Sequence, residues 1–285
     1  MKNHFFISML AAAALLGGLT ACNGKLDKAP RADQVPENAV RITASIGNPF
    51  SATRSMPLGT EEEQGKFNVG DEIFVRTSSS QRATYRFDGT VWAPKEGEYL
   101  LWKSDMDCFD AYYPAEYGKI PYVHPTDQSS TEKIAKADVM SVALDQAKTK
   151  EALHFTMYRS TTRLIVEIAG FKSEFPGDAK VENVRFLNKA NASAPLRTYI
   201  PYAKGEGKTG STYTVLVPWD AAHNTISLEV GGKTMTAKLS EFTYDSGQSY
   251  TYRLTVGKEK LETTEVTVSD WTGSAVIPGG EAKAN

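Results

Sequence analysis

From Val40 onward the chain is built of short apolar alternations of period two, each broken off by glycine or turn residues. In an extended backbone successive side chains point to opposite faces, so alternation gives every run one face to bury and one to wet. A helix cannot use that pattern, because its apolar stripe returns every ~3.6 residues. Ile42, Ala44 and Ile46 share a face, as do Ile73 and Val75. Further runs follow at residues 99–102, 108–113, 164–168, 184–186, 213–217, 226–230, 235–239, 250–256 and 266–268. So many short strands at this spacing predict an all-β fold made of sandwiches rather than a helical bundle.

The breaks carry information too. Tyr85 and Phe87 lead into Asp88-Gly89 and then Val91-Trp92, the pattern of a tight hairpin, and Gly231-Gly232 predicts another. Residues 135–153 alone have a helical look, without a clean period, and predict a loop carrying one turn or short helix. At 285 residues the chain has room for one large or two ordinary domains. The polar stretch Asp145-Gln146-Ala147-Lys148-Thr149-Lys150-Glu151 falls near the middle and reads as a junction. It divides the body near residue 150 into an N-terminal β-sandwich domain, 40–150, and a C-terminal one, 151–285.

Ahead of the body, Lys2, an apolar stretch from Phe5 to Leu16 and Gly17-Gly18 compose a secretory signal, residues 1–21. Its apolar stretch is too short to cross roughly 30 Å of hydrocarbon. It ends in Leu19-Thr20-Ala21-Cys22, which resembles the bacterial lipobox, in which the cysteine thiol is acylated and becomes the new N-terminus. Each buried methylene of such a lipid contributes about 0.8 kcal/mol, and two or more chains give lasting attachment. Asn23 rather than aspartate follows, which by resemblance to lipoprotein sorting rules points to the outer membrane. Residues 22–39 are then a lipidated tether, polar and interrupted by Pro30 and Pro36.

Little in the chain speaks for chemistry. With 32 basic and 34 acidic residues the net charge is −2, and no block of like charge supplies the basic face that nucleic acid demands. His124, His154 and His223 are too far apart in sequence for metal-ligand spacing, and no cofactor is implied. His154 falls on the polar side of an alternating run, where a solvent-facing or hydrogen-bonded role is expected. Residues 205–209 lack the leading glycine of a phosphate loop, no Gly-x-Ser-x-Gly elbow occurs, and Cys108 in its apolar run reads as a buried thiol. The chain is therefore not expected to be an enzyme. Trp92, Trp102, Trp219 and Trp271 pose the choice between core packing and stacking on sugar rings.

Cys22 in its lipobox, the strand at 40–46 followed by Ser51-Ala52-Thr53-Arg54, and the segment Phe67-Asn68-Val69-Gly70-Asp71-Glu72-Ile73 recur here in a definite order. So do Leu153-His154-Phe155 before Leu164-Ile165-Val166 and the ending Val266-Thr267-Val268-Ser269-Asp270-Trp271. In this order and spacing they resemble the fimbrillin family, the lipoprotein pilins of type V fimbriae and their minor subunits. The resemblance implies two transthyretin-like β-sandwich domains in tandem. It also implies assembly in which an arginine-specific protease cuts in an early loop, removes the lipidated leader with the first strand, and opens a groove for a neighbour's C-terminal strand. Arg54, before Ser55 and flanked by Pro49 and Pro57, matches the cut position; its other reading is an ordinary surface residue. Residues 264–277 match the donor, with Val266 and Val268 on one face and Val276 and Ile277 nearer the end; their other reading is the last strand of their own domain. The implied role is a structural or accessory fimbrial subunit serving adhesion, partnered by other subunits and by the outer membrane through Cys22, and borne on the cell surface. The competing roles are an anchor or tip adhesin that keeps its lipid, and a surface lipoprotein that binds a glycan or another host-surface ligand.

Overall fold

The computed structural model describes residues 35–47, 66–175, 177, 179–190, 193–218, 223–239, 244–257, 261–270 and 275–278. The fold is all-β, as the alternation predicts. The first half supplies β1 (Ile42–Ile46), β2 (Glu72–Thr77), β3 (Arg82–Phe87), β4 (Trp92–Pro94), β5 (Met106–Tyr113), β6 (Met140–Ala147) and β7 (Leu153–Arg159). These form one seven-stranded sheet in the order β1-β7-β6-β5-β2-β3-β4. After it come β8 (Thr161–Phe171), β9 (Glu182–Lys189), β10 (Arg197–Tyr199), β11 (Tyr202–Lys204), β12 (Thr212–Pro218), β13 (His223–Val230) and β14 (Lys233–Lys238). The last are β15 (Gln248–Val256), β16 (Leu261–Asp270) and β17 (Ala275–Pro278). Those strands make a four-stranded sheet, β10-β9-β13-β14, and a six-stranded sheet, β11-β12-β8-β15-β16-β17. Residue 150 falls in the β6–β7 connection, and the change of sheet comes between Arg159 and Thr161.

Two apolar cores follow from the sheets. Ile73, Val75, Tyr85, Phe109, Met140, Phe155 and their neighbours pack within residues 40–157, while Leu164, Val166, Phe186, Ile226, Leu228 and Tyr252 centre another within residues 164–261. The alternation is visible in β7, where Leu153, Phe155 and Met157 are buried and His154 and Tyr158 face out. At the β13–β14 hairpin Gly231 and Gly232 take φ of 56° and 77°, the left-handed pair that a two-residue turn requires. The Asp88-Gly89 turn forms as expected, with Asp88 Oδ1 accepting from the backbone N–H groups of Thr90 and Val91, both at 2.8 Å.

The stretch 135–153 corrects the sequence reading. Its middle is strand: β6 pairs along its length with β5, from Met106↔Ala147 to Tyr113↔Met140, with loop on either side. Its alternation is muted because the inner face, with Val142, Leu144 and Gln146, is only half covered, while Ser141, Ala143 and Asp145 take the outer one. The helix, α1 (Thr131–Ala135), lies just upstream, capped by Ser130, whose hydroxyl accepts from the Lys133 N–H at 3.3 Å.

Candidate functional site

The segment entering the body occupies a slot along one edge of the first sheet. Residues 38–40 run antiparallel to residues 100–102: the Val40 N–H donates to the Leu100 carbonyl at 2.7 Å and the Trp102 N–H to that of Asn38 at 2.9 Å. The chain then turns onto β7 and pairs with it in parallel, Ile42 opposite Leu153 through Ile46 opposite Met157. Alternation sends Val40, Ile42 and Ile46 inward, to 1%, 3% and 7% exposure, into the core with Phe155, Met157 and Trp102. Each such burial contributes about 1.5–3 kcal/mol. Tyr85, itself buried, donates its hydroxyl to the Val40 carbonyl at 2.9 Å and accepts from the Leu100 N–H at 3.3 Å, tying both walls of the slot together. Burial pushes that phenol well above its usual range, so it stays a donor.

On the outer face Thr43 and Ser45 bracket the His154 ring, with their hydroxyls 3.0 Å from Nδ1 and 2.8 Å from Nε2. His154 is exposed and hydrogen-bonded, as its place in the alternation predicts. Gly47 ends the strand where no side chain fits: an added Cβ would lie 2.6 Å from Thr156 Cγ2 and 2.7 Å from Tyr158 Cε1. The first strand thus fits its slot closely at its inner and outer faces and at its end.

Cys22, Arg54 and Ser55 lie outside the described residues. Val266 and Val268 stand on β16, opposite Tyr252 and Tyr250 of β15, while Ile277 and Val276 of β17 stand opposite Val266 and Thr267. β17 is the edge of its sheet and registers with β16 over four pairs, against nine between β16 and β15. Trp92 and Trp102 are buried at 7% and 5%, so neither offers a face to a sugar; Trp219 and Trp271 lie outside the described residues. Cys108 corrects its reading as a buried thiol, since it is only partly covered. Contact with Asp145, with some burial, raises its pKa, so it remains a thiol.

A second region, marked in the sequence by nothing but its tyrosines, lies where the connection after β5 crosses onto the later strands. The buried Gln128 organises it. Its Oε1 accepts from the Leu216 N–H at 2.7 Å, and its Nε2 donates to the carbonyls of Leu216 and Pro125 at 2.8 and 2.9 Å. β11 pairs with β12 only at residues 212–214, so beyond that point the Gln128 amide supplies to Leu216 what a neighbouring strand would. Backbone bonds between Ile200 and both Thr126 and Gln128, each 2.9 Å, fix the same crossing. Nearby, the buried Asp138 carboxylate accepts from Arg159 at 3.1–3.2 Å.

Along this connection runs a ladder of edge-to-face rings. Tyr112, Tyr117, Tyr122, His124 and Tyr199 follow one another with centroids 5.7, 5.0, 6.3 and 6.2 Å apart. The His124 Nε2 donates to the Leu216 carbonyl at 3.0 Å. Beside the ladder opens a cleft of about 400 Å³ lined by Tyr117, Tyr122, His124, Thr126, Ser160 and Arg197 among others. The density of tyrosines between 112 and 122 was the one sequence signal for it. Among the described residues no group of His, Cys, Asp and Glu is arranged to hold a metal ion.

None of the curated proteins matches the chain in sequence. Among solved structures, a candidate cell adhesion protein from Bacteroides uniformis is 16% identical over 82% of this chain and 100% of its own, with a TM-score of 0.52. Another from Bacteroides ovatus is 13% identical over 87% and 98%, with a TM-score of 0.55. At such identity the likeness is one of fold. A family model described as fimbrillin-like matches residues 59–271, which takes in the Phe67–Ile73 segment and both sets of later strands. That family is one of structural and adhesion proteins of surface appendages, not of enzymes. By this match the chain belongs to the fimbrillin-like family.

Proposed function

We propose that the chain is a stalk or accessory subunit of a cell-surface fimbria, exported as a lipoprotein through Cys22, held at the outer membrane, and assembled by strand exchange after a cut between Arg54 and Ser55. The observation that carries this reading is the first-strand slot. Residues 38–47 lie at a sheet edge, deliver three buried apolar side chains to the core, and precede Arg54 by only a few residues. Their removal would leave the outward edge of β7 with unpaired backbone groups above an apolar trough, the combination that an incoming strand satisfies. Residues 264–277, with Val266, Val268, Val276 and Ile277, are the proposed donor. In its favour stand the edge position of β17 and its short register with β16, while release of Val266 and Val268 requires β16 to part from β15 as well. Two transthyretin-like β-sandwich domains in tandem are the architecture proposed for this subunit, supported by the two apolar cores.

Treatment of the acylated protein with an arginine-specific protease tests the reading. The expected outcome is a folded body beginning at Ser55 that polymerises, seen as a ladder resistant to detergent, with Arg54→Ala remaining monomeric. Polymerisation of Arg54→Ala to the same extent as the parent would overturn it.

A further inference from the structure

We propose that the cleft beside the tyrosine ladder is a carbohydrate site, taking one pyranose ring at the end of a glycan against Tyr117 and Tyr122. This goes beyond the strand-exchange reading and rests on none of it. The lining has the two-sided chemistry that a pyranose presents. Ring surfaces of Tyr117 and Tyr122 suit the C–H face of a sugar, while Thr126, Ser160, Arg197 and His124 place polar groups around it for the hydroxyl rim. At about 400 Å³ the cleft has room for a saccharide unit and lies within the range of small-molecule sites.

The Tyr122 hydroxyl is buried and has no hydrogen-bond partner among the described residues, although its side chain belongs to the cleft wall. Shut off from solvent, that hydroxyl is beyond a ligand's reach, so Tyr122 meets the sugar with its ring alone. On either side of Tyr122 stand Ile120 and Val123, 89% and 81% exposed, the two most exposed large apolar side chains among the described residues. Val123 is itself part of the cleft lining.

The other ligand classes fit less well. A peptide adding itself as a strand needs free backbone groups, and here those of Ile200 and Leu216 are already taken by Thr126 and Gln128. A phosphate group calls for convergent cations, and among the described residues Arg197 is the only arginine or lysine lining the cleft. The wall is also fixed in advance, through the bonds of His124 and Gln128 to Leu216, which lowers the ordering cost of binding a small ligand.

The test uses the full-length protein in detergent micelles on an array of terminal galactose, mannose, N-acetylglucosamine and N-acetylneuraminic acid glycans with unglycosylated peptide controls. Calorimetry follows, with the methyl glycoside of the strongest sugar. Tyr122→Leu removes one ring of the wall and is expected to weaken binding by about tenfold or more. Tyr117→Ser removes a ring, with an expected loss of about tenfold or more. Circular dichroism of both variants should match the parent. A flat array would overturn the proposal, as would binding undiminished in Tyr122→Leu, or capture of the peptide controls in preference to the glycans.

Discussion

Asp127 shows what an exposed pair of side chains does in this molecule. Its carboxylate accepts from Lys133 Nζ at 2.6 Å and from the Ser129 hydroxyl at 2.7 Å, one turn apart around the start of α1. Lys133 foremost, then Ser129, holds its pKa down from 3.8 to about 2. The folded form therefore binds fewer protons than the unfolded form, and the contribution to stability is present above the ordinary carboxylate range and lost as pH falls through about 2. Side-chain carbon resonances should place the Asp127 midpoint near that value, and Lys133→Met should return it toward 3.8. Full exposure keeps the energetic effect small. The residue scale is also where the sequence was most legible in principle and least in detail. The polar side of β7 foretold His154 as hydrogen-bonded, but only the parallel register of β1 reveals that Thr43 and Ser45 are its partners. Tryptophans that raised the question of sugar stacking, Trp92 and Trp102, are core residues, while the tyrosines that line the cleft carry no motif.

Elements were readable wherever one face is buried and the other wet, because that contrast is what period two encodes. β7 and β15 display it plainly. β6 shows it only weakly, since beyond Met140 its inner face is no more than half covered and its partner β5 rather than its own composition decides its state. The three-residue strands β10 and β11 are too short to show any period, and exist through their partners β9 and β12. β1 is the element on which the proposed assembly turns. Ile42→Ala should lower the stability of the full chain by about 2–4 kcal/mol in urea unfolding, because Ile42 is 3% exposed within a core that cannot collapse around the loss. Thr43→Ala, on the solvent side of the same strand, should cost far less, which separates loss of the inner packing from a general weakening of the strand.

At the level of the whole molecule the connection after β5 is laid across β12, held by the Gln128 amide and by His124 on Leu216, with Ile134, Ala137 and Leu216 forming a small apolar cluster. Gln128→Leu leaves the Leu216 N–H and carbonyl without that partner in a fully buried setting, and should cost about 2–4 kcal/mol by urea unfolding. Faster hydrogen exchange at the Leu216 amide should accompany it. None of this was legible beforehand: a lone glutamine in a polar loop carries no signal, because its value lies wholly in where β11 stops. The all-β class, by contrast, was fixed by local pattern alone, and the family match over residues 59–271 agrees with it.

The parallel pairing of β1 with β7 has a kinetic meaning. A parallel neighbour cannot be joined by a tight hairpin, and the next strand in the chain, β2, sits four places away across the sheet. The chain therefore runs from β1 to the rest of the first sheet through residues 48–65, where Arg54 lies. Sever it there and the segment becomes a bound peptide, obeying a dissociation constant: dilution promotes its escape, a competitor at high local concentration replaces it, and every residue that tightens its fit lengthens its residence.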